Sequence, residues 1–191
     1  VELVLASTSA GRRALLQRLG VPFVAVAPGV DEAPLHASEP DPGRLAQRLA
    51  AAKAEAVARQ HPGAVVIGGD QVAALGAEVL HQPGTAERAV QQLLRLAGQT
   101  HTLHTATCLV HPGGRVAWLE EPRLTMRSLT EQEARRSVER DDPRWCAGAY
   151  KLEQAGIALF ERIEAADWNA IVGLPLLRLA RELRTLGFEL P

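Results

Sequence analysis

Hydrophobic positions along the chain change their spacing several times, and each change predicts an element. Leu3 to Ala6 is a continuous apolar run ending in Ser7-Thr8-Ser9, the pattern of a buried strand that delivers the chain into a helix. Ser9 is placed to cap that helix, Leu15, Leu16 and Leu19 recur on one face, and Gly20 stops it. Phe23 to Ala27 predicts a second strand, broken by Pro28-Gly29. Asp41 followed by Pro42 is a helix start with proline in the first turn. The Ala-rich segment after it, to about Gln60, sets Leu45, Leu49, Ala52 and Ala56 on one face. His61-Pro62-Gly63 ends that helix, and Ala64 to Ile67 predicts a strand finishing at Gly68-Gly69-Asp70-Gln71. Thr85 opens a further helix through about Ala97, stopped by Gly98.

The middle of the chain then takes on the period of strands. Thr100 to Val110 and Arg115 to Leu124 flank His111-Pro112-Gly113-Gly114, a hairpin signal. His101 and His104 fall on opposite faces of the first of these strands and read as structural. Thr130 with Glu133 three residues on is a capping box for a helix through about Arg140. Ile157 to Ile163 predicts a strand, and Leu174 to Leu186 an amphipathic helix stopped by Gly187. Strands alternating with helices at both ends of a central hairpin predict an α/β fold, a mixed β-sheet with flanking helices arranged in two lobes. No linker rich in Pro, Gly and Ser divides the chain, so residues 1–191 are expected to form a single domain with a central cleft.

Composition narrows the function classes. With 47% hydrophobic residues, 23% charged residues and a net charge of −1, disorder is excluded. The near-neutral balance, with a pI near 6.7, also argues against stable nucleic-acid binding, whose basic stripe normally lifts the pI above ~9. No apolar run is long enough to span a membrane, and Val1 to Ser7 lacks the basic start of a signal peptide. Cys108 and Cys146 are isolated, with no CxxC and no histidine at metal spacing, which fits a reducing compartment and a cytoplasmic protein. Of the 21 basic residues only Lys53 and Lys151 are lysine. Where arginine serves every generic need for positive charge, a retained lysine points to a site that needs a compact ammonium.

Five segments could carry chemistry. Ser7-Thr8-Ser9-Ala10-Gly11-Arg12-Arg13 gathers hydroxyls, free backbone N–H groups and guanidinium groups at a helix start, where negative charge is favoured. It suits a polyphosphate but matches neither GxxxxGK[ST] nor GxGxxG; an ordinary cap followed by solvated arginines is the competing reading. Asp31-Glu32 lies on a loop before Pro34. Lys53 sits among the apolar neighbours Leu49, Ala50, Ala56 and Val57 on the Ala-rich helix, where a snorkelling lysine is the alternative. Asp70 ends a buried strand after two glycines, where open α/β sheets bind ligands, and could hold Mg²⁺; a turn-capping Asp is the alternative. In Tyr150-Lys151-Leu152-Glu153, alternation would put Lys151 and Glu153 on one face of an extended segment, as ligand groups or as a surface ion pair.

Taken in order, Ser7-Thr8-Ser9-x-x-Arg12-Arg13, Val30-Asp31-Glu32, Ala52-Lys53-Ala54, Gly69-Asp70-Gln71-Val72, Cys146-Ala147-Gly148 and Asn169-x-x-Val172-Gly173-Leu174-Pro175 resemble the Maf family of nucleoside triphosphate pyrophosphatases over nearly the whole chain. The resemblance implies a two-lobed fold related to inosine triphosphate pyrophosphatases, with the active site between the lobes. It implies metal-dependent hydrolysis between the α and β phosphates of a nucleoside triphosphate. On this likeness Asp70 matches the proton acceptor, and Glu32 and Lys53 match acidic and basic catalytic residues. Asp70 and Glu32 would hold the divalent metal (Mg²⁺, Mn²⁺ or Co²⁺). Ser7, Ser9, Arg12, Arg13, Gln82 and Lys151 would bind substrate.

Gln71 after Asp70, and Glu153 two residues past Lys151, resemble the subgroup acting on 7-methyl-GTP. A carboxylate such as Glu153 suits the N–H edge of a cationic methylated guanine. Two positions depart from the pattern. Gly11 stands where that subgroup usually has Trp, a ring that could stack on a cationic base, and Gln82 stands where the family commonly has lysine before proline. Two other outcomes remain: a nucleotide-binding regulator of septum formation with weak or no catalysis, or a nucleotide hydrolase with different regiochemistry. The oligomeric state stays open, with a homodimer among the alternatives.

Overall fold

Why the chain folds as it does is clearest along its third strand. A computed structural model describes residues 1–190. The elements, in chain order, are β1 (Leu3–Ala6), α1 (Ala10–Gln17), β2 (Val24–Val26), α2 (Ala33–Ser38), α3 (Pro42–Ala58), β3 (Val65–Leu75), β4 (Glu78–Leu80), α4 (Ala86–Leu96), β5 (Thr100–His111), β6 (Gly114–Glu120), β7 (Arg123–Met126), α5 (Glu131–Asp141), β8 (Phe160–Glu164), α6 (Asn169–Val172) and α7 (Leu176–Thr185), with a 3₁₀ turn at Ala155–Leu159 before β8. The strands form one mixed sheet of order β2-β1-β3-β5-β7-β8, with β4 added to β3 and β6 to β5. Strands β1, β2 and β3 are parallel, and the remaining pairs are antiparallel. The α/β class with a mixed sheet and flanking helices is therefore as expected.

β3 is buried along nearly its whole length, as a strand covered on both faces must be. On one side Leu3, Leu5 and Ile67 pack with Leu16 of α1 and with Leu179 and Leu183 of α7. Against Val72, Ala106 and Cys108 lies α3, through Leu45, Ala46, Leu49, Ala50 and Ala54. Further along, α4 and α5 close a third cluster around Leu93, Leu103, Leu124, Met126 and Tyr150. β3 and β5, with Asp70 registered on Ala106, run from one end of this core to the other.

Several expectations shift. β3 continues through Gly68-Gly69-Asp70-Gln71, so Asp70 lies mid-strand rather than at a strand end; β5 pairs with the segment and keeps it extended. The buried stripe of α3 is Leu45, Ala46, Leu49, Ala50, Lys53, Ala54 and Val57, while Ala52 and Ala56 are only half-buried. Methyl groups are too small to mark the face of an Ala-rich helix by pattern. The segment Arg115 to Leu124 is two strands, because Pro122 interrupts it and β6 and β7 pair with different parts of β5. Ala155–Leu159 is a 3₁₀ turn, with the strand confined to Phe160–Glu164. Short elements β4, α2 and α6 carry too few residues to show a period. Among the described residues no helix is long and apolar enough to cross a membrane, and Cys108 and Cys146 are both free thiols.

Candidate active site

Two glycines bring the site together by letting other groups come close. A methyl at Gly68 would stand 2.3 Å from the Ala50 carbonyl oxygen and 2.7 Å from Ala54 Cβ, so only a bare backbone lets α3 lie this near to β3. That approach carries Lys53 onto the strand. A methyl at Gly69 would stand 3.1 Å from Arg12 Nε, so the second glycine leaves room for the guanidinium arm.

Lys53, 9% exposed, lies between two carboxylates: its Nζ is 2.5 Å from Asp70 Oδ1 and 2.7 Å from Glu32 Oε1. Asp70 is buried, whereas the Glu32 side chain is 39% exposed at the start of α2. Burial pushes the Asp70 carboxyl above its ordinary value; Lys53 and Arg12 pull it back, and Glu32 adds to the rise. Burial likewise lowers the Arg12 guanidinium, opposed by Asp70 and Glu32. The cluster has two acids and two bases sharing one environment, which is how sites that move protons are built.

Above it, Ser9 caps α1 by accepting from Arg12 N, and Ser7 Oγ accepts from Ser9 N. Arg12 Nε donates to the Gly173 carbonyl at 2.9 Å, fixing the arm against the chain between α6 and α7. Asp167 holds that corner by accepting from Asn169 N and Leu177 N, both at 2.8 Å.

These groups open into one cleft of about 950 Å³. Of the expected site residues, Ser7, Ser9, Gly11, Arg12, Glu32, Lys53, Asp70, Gln71, Gln82, Lys151 and Glu153 line it. Arg13 does not. It is exposed and borders a separate shallow depression beside Gly20 and Val21, because one helical step turns it about 100° away from Arg12. Gln71 reaches the cleft, but its Nε2 lies 3.0 Å from Thr105 Oγ1 and from the Ala170 and Ile171 carbonyl oxygens, so its amide hydrogens are engaged inside the protein. Lys151 and Glu153 share the cleft through a turn, not through strand alternation.

Sequence reasoning missed His36, His81 and Trp145, and it named Tyr150 only as part of a candidate segment without a role; all four line the cleft. His36 and His81 face one another with ring centroids 5.6 Å apart, and His36 Nε2 is 3.8 Å from Glu32 Oε2. Tyr150 is buried, and its hydroxyl meets His101 Nε2 at 2.8 Å. The extra lining comes from segments distant in sequence, so only the spacing of α2 to Glu32 could have flagged any of it. Among the described residues no group of three or more His, Cys, Asp or Glu side chains is set to hold a metal ion unaided. Two carboxylates do converge on a single cation, the Lys53 ammonium.

Fold and cleft together define an α/β protein with a pocket suited to a polyanion: a serine-capped helix start, a half-buried arginine arm and a lysine bridging two acids. The sequence profile of the Maf-like protein family matches residues 2–186, and the chain belongs to that family. It is 45% identical to a 7-methyl-GTP pyrophosphatase of Nitrosococcus oceani, covering 97% of this chain and 94% of the relative. It is 47% identical to a 7-methyl-GTP pyrophosphatase of Xanthomonas oryzae pv. oryzae over 99% of this chain and 98% of that one. A solved structure of a nucleoside-triphosphatase / dITP/XTP pyrophosphatase from Mycobacterium abscessus is similar at 16% identity and a TM-score of 0.47, covering 97% of each chain, a likeness too loose to bear on function.

Proposed function

We propose that this protein hydrolyses a nucleoside triphosphate between the α and β phosphates, giving the monophosphate and pyrophosphate, with 7-methyl-GTP the preferred substrate. The observation that carries the reading is the Glu32–Lys53–Asp70 bridge, lining one cleft with the Ser9-capped helix start and Arg12. The curated relatives named 7-methyl-GTP pyrophosphatase, at full-length identities near 46%, support the choice of base. In this reading residues 1–191 act as one domain whose two lobes share β3 and β5 and close on the cleft.

Each residue has a task. Ser7, Ser9 and the N–H groups at the start of α1 receive phosphate oxygens, and Arg12 meets the negative charge that grows on them. Asp70, whose carboxyl burial holds above the ordinary range, accepts a proton from the attacking water. Lys53 bridges both carboxylates in the resting protein and, once a nucleotide is bound, offers its ammonium to the phosphates. Glu32 and Asp70 fit a divalent ion such as Mg²⁺, Mn²⁺ or Co²⁺, because one or two carboxylates plus substrate phosphates are the usual donors for Mg²⁺ and these two already share a cation. When bound, that ion neutralises charge on the phosphate oxygens. Gln82 and Lys151 contribute polar contacts further along the cleft. The free thiols suit a reducing cytoplasm.

A panel of triphosphates with Mg²⁺ tests the reading. It predicts kcat/KM for 7-methyl-GTP at least about tenfold above GTP, dTTP and UTP, a difference of ~1.4 kcal/mol. Preference for dTTP or UTP would refute the choice of base, and no turnover of any triphosphate would refute the activity.

A further inference from the structure

Two large aromatic rings line the cleft and neither serves the chemistry above: Tyr150 is buried with its hydroxyl on His101, which leaves Trp145 as the exposed face. Trp145 is 65% exposed and lines the cleft. Exposure alone does not single it out, since Trp168 is 53% exposed and lies off the cleft wall; position does. Trp118 is buried in the core, and no Phe lines the cleft among the described residues.

The turn that presents Trp145 is held from both ends. Asp142, in the left-handed region with φ 44°, accepts from Arg144 Nε at 2.6 Å. Cys146 N donates to the Pro143 carbonyl at 3.0 Å and Ala149 N to the Cys146 carbonyl at 3.1 Å. Gly84 N donates to the Arg144 carbonyl at 2.9 Å, tying the turn to the segment that carries Gln82. The indole is thus displayed on ordered backbone, the arrangement in which an aromatic platform binds at low entropic cost.

Its neighbours have the right polarity. Lys151 and Glu153, six and eight residues further on, line the same cleft, so Trp145 shares it with an ammonium and a carboxylate. A flat base needs one stacking face and edge partners, and Trp gives the strongest attraction to a cationic ring. Gly11, which also lines the cleft, offers no ring.

We propose that Trp145 stacks on the nucleobase and, with Glu153 at the base edge, sets the preference for a cationic, N7-methylated purine. The proposal rests on the pyrophosphatase reading and adds the residue that selects the base. Steady-state kinetics of the full chain and of Trp145→Ala and Trp145→Phe, on 7-methyl-GTP and on GTP, test it. Trp145→Ala should raise KM for 7-methyl-GTP roughly tenfold, leave kcat within about twofold, and raise KM for GTP less, so that selectivity shrinks. Trp145→Phe should fall between. An unchanged KM, or equal losses on the two substrates, overturns the proposal. Because the ring is exposed, melting temperatures should stay near that of the parent chain, which separates a lost stack from a lost fold. If the parent chain turns over no triphosphate, the activity fails but the stack does not: titration with 7-methyl-GMP must still quench tryptophan fluorescence in the parent and not in Trp145→Phe, and equal quenching in both overturns it.

Discussion

Replacing Lys53 with methionine keeps most of the side chain's bulk and removes its charge. In the folded protein this leaves Asp70, 7% exposed, and Glu32, with 39% of its side chain exposed, facing each other without the ammonium that bridges them. Breaking a buried ion pair from one side costs about 3–5 kcal/mol; the partial exposure of Glu32 lets water recover some of that, so the lower end, ~3 kcal/mol, applies at neutral pH. For a chain of this length each kcal/mol moves the melting temperature by about 2–4 °C, so a drop of roughly 6–12 °C is expected. The sign of the pH dependence follows from Asp70. Burial already holds its folded value above the unfolded 3.8, and Lys53 is the largest influence opposing that rise. Without Lys53 the folded value climbs further, and the folded state then binds the proton more tightly than the unfolded chain. Stability of the variant therefore recovers as pH falls through the folded value toward 3.8. Thermal melts of parent and Lys53→Met from pH 8 to pH 5, with EDTA present, should show the deficit shrinking on acidification. A deficit that stays constant across this range, or no deficit at all, would refute the bridge as described.

Asp70→Asn should lower kcat at least ~100-fold in a pyrophosphate-release assay, with the fold retained by far-UV circular dichroism, if Asp70 takes the proton from water. Gly68→Ala should cost about 3 kcal/mol in urea unfolding, because the added methyl meets the Ala50 carbonyl and forces α3 off β3. His101 is 1% exposed, and burial lowers its imidazole from 6.5 to about 4, so the folded state resists the proton that the unfolded chain accepts. Its contribution is complete above pH 6.5 and is lost as pH falls toward 4, a span worth roughly 3 kcal/mol. Urea unfolding of His101→Gln should accordingly show less loss of stability than the parent between pH 7 and pH 4.

How far the sequence reveals this molecule depends on what each segment uses as its signal. Long amphipathic or capped elements were legible: Ser9, Asp41, Thr85 and Thr130 each accept from the backbone three residues on, as their positions predict. The face of α3 was not legible, because alanine is as common on its buried side as on its half-exposed side. Asp70 was expected at a strand end, since Gly68-Gly69 reads as a break; in the fold those glycines are places where α3 and Arg12 come close, and the strand runs on. The scarcity of lysine pointed to Lys53 and Lys151, and both line the cleft. Arg13 was grouped with Arg12 by adjacency, which a helix undoes within one residue. Trp145 and His81 reach the cleft by tertiary placement alone, whereas His36, four residues past Glu32, is one that helical spacing announces.

The bond that is cut defines the proposed reaction. Phosphorus NMR of the products formed from 7-methyl-GTP with Mg²⁺ reads it directly. Hydrolysis between the α and β phosphates gives 7-methyl-GMP and pyrophosphate in equal amounts and no orthophosphate at early times. Orthophosphate with 7-methyl-GDP would contradict it.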